Sequence, residues 1–97
     1  MATRRFYRRR FLNRPGYHAG AYVLADCRIV RDRDGQREID ADLVIADCSR
    51  ITSLDLSAYN PQDAGNALHK IRLLRTIIDE FADAFEDAVR DVHPNLK

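Results

Sequence analysis

The stretch "YVLADCRIVRDRDGQREIDADLVIA", Tyr22–Ala46, decides the fold. Two runs rich in β-branched and apolar residues, Tyr22 to Val30 and Glu38 to Ala46, flank Asp32-Arg33-Asp34-Gly35-Gln36. A three-residue loop, Arg33-Asp34-Gly35, places Gly35 where a bulge-type hairpin requires positive φ. That choice sets Ile29 opposite Ile39, Cys27 opposite Ala41, Ala25 opposite Leu43 and Val23 opposite Ile45, so that one face is wholly apolar. A two-residue Asp34-Gly35 loop would slip the pairing by one and bring Ile29 to Asp40, which destroys that face. The three-residue loop is therefore expected. On the opposite face Arg28 meets Asp40 and Asp26 meets Asp42, with Tyr22, Leu24, Val44 and Ala46 nearer the open end. The apolar half of this second face calls for a cover, either the N-terminal segment or a second chain.

Beyond the hairpin, Asp47-Cys48-Ser49-Arg50 reads as a turn and Ile51–Leu56 as a third strand, with Thr52, Leu54 and Leu56 in alternation and Ile51 out of step. The tripeptide Ala-Asp-Cys occurs at Ala25–Cys27 and again at Ala46–Cys48. The register sets Cys48 near Gly20, far from Cys27, so no disulfide is expected between them. The two cysteines match no zinc or redox spacing, and both are read as free thiols in a cytoplasmic protein.

Asn60-Pro61-Gln62-Asp63 is a strong helix start: a capping Asn, Pro at the first helical position and an acid in the first turn. Pro94 closes the other end. Between them apolar residues recur every seven positions. Ala64, Ile71, Ile78, Phe85 and Val92 hold one position of the repeat, and Ala67, Leu74, Phe81 and Ala88 hold the other. Leu68, Ile77, Ala84 and Val89 widen the stripe beyond a bare coiled-coil seam. A helix from Pro61 to Val92 is about 48 Å long at 1.5 Å per residue, whereas an eight-residue strand spans only about 27 Å. One unbroken helix is expected. Thr76-Ile77-Ile78, where β-branched residues cluster without Gly or Pro, is where a break into two shorter helices would fall. An unbroken helix overhangs the sheet and leaves apolar surface for another molecule to cover, with Ile71, Leu74, Ile78, Phe81 and Phe85 as the self-association residues. His69, Lys70, Arg72 and Arg75 make its first half basic, and Asp79, Glu80, Asp83, Glu86, Asp87 and Asp91 make its second half acidic. An antiparallel homodimer would match the two.

The net charge of +1 conceals a second asymmetry, since residues 1–14 carry six arginines and no acid. "RRFYRRRF", Arg4–Phe11, holds five arginines and three aromatics. Three readings of this basic arm stand side by side. Arginines meet phosphates and aromatics stack on bases in single-strand nucleic-acid binders. Arg, Tyr and Phe are also enriched at protein interfaces, and an acidic helix segment is available as a counterpart. Alternatively, Phe6, Tyr7, Phe11 and Leu12 pack over the hairpin while the arginines stay in water. Arg4, Arg5, Phe6, Tyr7, Arg8, Arg9 and Arg10 are the expected partner-binding residues, with an unidentified protein favoured over nucleic acid.

The chain carries no glycine-rich phosphate loop, no nucleophile elbow and no helical histidine pair at ligand spacing. Asp26, Asp40 and Asp42 share a face, but Arg28 sits among them and an ion-paired surface is the expected outcome. Neither catalysis nor a cofactor or metal is expected. No apolar run reaches membrane-spanning length and no signal core follows the basic start, so no membrane partner is expected.

The strings "FLNRPGYHAGAYVLADC", "LVIADCSRITSLDL" and "NALHKIRLLRTIIDEFADAFEDA" resemble small uncharacterised proteins encoded by phages of high-GC actinobacteria, and the Arg/Asp/Ala-rich, lysine-poor composition agrees with a high-GC source. The resemblance implies a phage accessory protein, either a virion component or an inhibitor or adaptor of a host protein, located in the host cytoplasm or the virion. It carries no site residues and no activity. The expected fold is a single α+β domain over residues 1–97. A basic arm and turn (1–16) precede a three-stranded antiparallel sheet (17–57), against which one long helix (60–93) packs.

Overall fold

The computed structural model describes residues 2–96. It is α+β: four strands, β1 (Thr3–Phe11), β2 (Ala21–Arg31), β3 (Arg37–Asp47) and β4 (Arg50–Asp55), then one helix, α1 (Pro61–Val92). The strands form an antiparallel meander in the order β1-β2-β3-β4. The chain divides into two compact units, Met1–Ala67 and Leu68–Lys97.

The β2–β3 register is the one dictated by an apolar face: Ile29 pairs with Ile39, Cys27 with Ala41, Ala25 with Leu43 and Val23 with Ile45. Gly35 has φ 80°, and Asp32 Oδ1 accepts the backbone N–H groups of Asp34 and Gln36, each at 2.9 Å. The loop thus closes on a side chain as well as on its glycine. β3 turns into β4 through Cys48-Ser49, since Asp47 pairs with Arg50. Thr52 and Leu54 then fall opposite Ile45 and Leu43 on the apolar face, while Ile51 lies opposite Ala46 on the other. Leu56 N–H donates to Ala41 O, and Ala58 exchanges both backbone hydrogen bonds with Ile39, which extends the ladder past β4.

The strand count corrects the sequence expectation. Thr3–Phe11 is not an arm: it is a strand paired along β2, with Arg5 as the extra residue of a bulge between Arg4 and Phe6. The segment therefore lies beside the hairpin and covers neither of its faces. Cross-strand contacts explain why so basic a sequence takes this form. Arg9 stacks over Tyr22 at 5.2 Å, and Arg4 Nε lies 3.5 Å from Asp26 Oδ1. The edge carboxylate and ring of β2 are natural partners for arginines.

Among the described residues only Ala21, Ala41, Ala46 and Ala58 are buried. The larger side chains of the apolar face, Val23, Ile29, Ile39, Leu43 and Ile45, are half-buried or exposed.

α1 runs unbroken for 32 residues. Asn60 caps it: its Oδ1 accepts from Asp63 N–H at 2.8 Å, and its Nδ2 donates back to Asp63 Oδ2 at 3.1 Å. At the point where a break was conceivable, Thr76 Oγ1 donates to Arg72 O at 3.1 Å, so its hydroxyl is satisfied within the helix. No residue of α1 is buried.

Two glycines should respond oppositely to alanine. Gly35→Ala forces a Cβ into the left-handed region and is expected to lower stability by about 1–2 kcal/mol. Gly65 lies within α1, and a methyl group added there would meet only open space, so Gly65→Ala should raise stability by about 0.5–1 kcal/mol. Urea denaturation midpoints of the two variants check both signs.

Candidate interaction surfaces

Three surfaces carry chemistry. The first is β1, exposed along its whole length. Pairing with β2 fixes its side chains. Phe6, Arg8 and Arg10 share the apolar face with Cys27, Ala25 and Val23, while Tyr7, Arg9 and Phe11 share the other face with Asp26, Leu24 and Tyr22. Its aromatics and arginines interleave: Arg4 lies over Tyr7 at 4.8 Å, Arg8 over Phe6 at 5.5 Å and Arg9 over Phe11 at 5.7 Å. These contacts hold the guanidinium groups in place at the surface. The predicted contact residues, Arg4 to Arg10, thus share one edge strand, split between its two faces, with Arg5 at the bulge. An arginine-dense edge also resists uncontrolled strand pairing through charge repulsion.

Behind this edge, Arg28 bridges two carboxylates. Its Nη2 donates to Asp40 Oδ2 at 2.7 Å, and its Nε stands 3.7 Å from Asp26 Oδ2. The second distance is an ion pair rather than a hydrogen bond. Ser57 Oγ donates to Asp40 Oδ1 at 3.3 Å and accepts Ala41 N–H at 3.2 Å, which ties the chain after β4 to this group.

The second surface is the stripe on α1. Ile71 and Leu74 are half-buried, while Ile78, Phe81 and Phe85 are exposed, Phe81 at 68%. The Phe81 and Phe85 rings stack with centroids 6.1 Å apart. All five residues expected to mediate self-association therefore lie on one helix, none of them buried. None of its helical length is apolar enough to cross a membrane.

The third surface escapes a linear reading of the sequence. His18, Asp47 and Cys48 are all exposed, and one donor atom from each lies within 4.8 Å of the others. They come together because β2 begins where β3 ends: Ala21 pairs with Asp47, and Cys48 N–H donates to Gly20 O at 2.9 Å. The hairpin register already sets Cys48 near Gly20, and His18 is two residues before that glycine. The signal is present, although a spacing of thirty residues hides it from any linear motif.

No protein family, curated protein or solved structure matches the chain.

Cys48 has φ 56° and is the only non-glycine among the described residues in the left-handed region. A β-carbon there costs about 1–2 kcal/mol. Cys48→Gly is therefore expected to raise stability by about 1 kcal/mol, read as a higher thermal midpoint.

Proposed function

We propose that this chain is a non-enzymatic protein-binding module that self-associates through α1. The observation that carries the reading is a 32-residue helix with no buried residue and a continuous apolar stripe. Helices in proteins gain most of their stability from packing an amphipathic face, and a stripe of this length is the kind of surface that proteins cover. The favoured occupant is a second copy, antiparallel. With a two-fold axis near Ile78, Leu74 of one chain meets Phe81 of the other and Ile71 meets Phe85. The same arrangement sets His69, Lys70, Arg72 and Arg75 against the acidic run from Asp79 to Asp91. A parallel pair would oppose like charges instead, which is unfavourable along a helix pair.

β1 is the proposed contact strand for a different protein, with Arg4, Arg5, Phe6, Tyr7, Arg8, Arg9 and Arg10 presented on an exposed edge. The phage resemblance points to an accessory role, as a virion component or as an inhibitor or adaptor of a host protein in the host cytoplasm. One observation favours nucleic acid as the second reading: exposed aromatics interleave with arginines on a fixed strand, as single-strand binding requires.

Phe81→Glu should convert the self-associated protein to monomer by light scattering and reduce its helicity by circular dichroism. An unchanged mass would remove α1 as the interface. A protein-binding β1 should leave labelled single-stranded oligonucleotides unbound at physiological salt. Oligonucleotide binding that weakens steeply with salt and disappears when Arg8, Arg9 and Arg10 are replaced by Ala would establish the second reading instead.

A further inference from the structure

His18, Asp47 and Cys48 converge at the end of the sheet where β2 opens and β3 closes. Cys48 Sγ stands 3.8 Å from His18 Nε2 and 3.9 Å from Nδ1. Around a tetrahedral zinc ion, a thiolate at about 2.3 Å and an imidazole nitrogen at about 2.0 Å stand about 3.6 Å apart. The sulfur and nitrogen donors are thus already near the separation an ion would impose. The third donor, a carboxylate of Asp47, lies within the same 4.8 Å circle. Thiolate, imidazole and carboxylate together suit zinc, whereas magnesium and calcium require an oxygen shell.

The three residues are held by their surroundings. The Gly20 O···H–N Cys48 bond joins the segment before β2 to the β3–β4 turn. A Cβ on Gly20 would come within 3.2 Å of both Cys48 Cα and His18 Nδ1, so the absence of a side chain there permits the approach. Asn13 Nδ2 donates to His18 O at 3.0 Å and fixes the histidine backbone. Gly20 N–H faces Nδ1 at 3.2 Å and the Asn13 carboxamide faces Nε2 at 3.2 Å, so a backbone and a side-chain group both position the ring.

We infer that His18, Asp47 and Cys48 form a zinc site with three protein ligands and a fourth position open to solvent. The site is independent of self-association through α1. It joins two connections, the segment before β2 and the β3–β4 turn, in a sheet unit whose only buried side chains among the described residues are alanines. Small domains with little core commonly add a metal staple of this kind. It also gives a use to a cysteine held at a backbone conformation that disfavours any side chain.

The test is titration of the full chain, reduced and metal-free, with cobalt(II) and then zinc. The expected result is one ion per chain, with a thiolate-to-cobalt charge-transfer band in the near ultraviolet that zinc abolishes. Cys48→Ser should eliminate the band. His18→Gln and Asp47→Asn should each weaken zinc by at least about tenfold, since even outer partners of zinc ligands act on that scale. Cys27→Ser should leave both signals intact. All four variants are expected to keep the far-ultraviolet dichroism of the parent, and zinc should raise the thermal midpoint of the parent but not of Cys48→Ser. Absence of the band, its loss in Cys27→Ser with retention in Cys48→Ser, or unchanged zinc affinity in His18→Gln would each overturn the assignment.

Discussion

The apolar stripe of α1 governs this protein. α1 places Ile71, Leu74, Ile78, Phe81 and Phe85 along one side of a helix that buries no residue. Apolar surface is worth about 25 cal/mol per Å² when it leaves water. A helix of this length therefore has a large stabilisation available from a partner surface and little from its own. Its cap is well made through Asn60 and Asp63, and Thr76 is satisfied internally. Those devices fix where the helix begins and keep it continuous; they do not cover its stripe.

The sheet unit follows a related logic on a smaller scale. Its register is enforced by the pairing of apolar residues across β2 and β3, yet the buried ones among its described residues are all alanines. What holds the unit is therefore weighted toward backbone hydrogen bonds, cross-strand pairs and local ties. Arg28 between Asp26 and Asp40, Ser57 on Asp40, and Cys48 N–H on Gly20 O are such ties. The exposed arginine edge of β1 keeps this open sheet from extending itself by strand addition while leaving aromatic surface available for recognition.

Much of this is readable from residues because the governing patterns are local and periodic. The Ile29–Ile39 pairing follows from the two-residue period of a strand and from one glycine in the loop. The unbroken helix follows from a seven-residue repeat without Gly or Pro in its middle. β1 is harder. Arginine has no marked strand preference, and the strand is defined by what lies beside it, Tyr22 and Asp26 on β2, rather than by its own alternation. Its charge suggests a solvated arm, whereas pairing leaves the guanidinium groups just as exposed. Leu43 and Ile45 are less buried than the pairing suggests, because a pattern tells which side of a strand is apolar, not how far it is covered. The convergence of His18 with Cys48 needs the meander itself, since only the return of β3 to the start of β2 brings them together.

The central claim is that the α1 stripe is covered by a second copy of the chain. Sedimentation equilibrium of the unmodified protein from low to high micromolar concentration tests it most directly. The account predicts a mass of twice the 11.2 kDa chain or a higher multiple, with the association weakened by added salt. A single species at the mass of one chain across that whole range would contradict it.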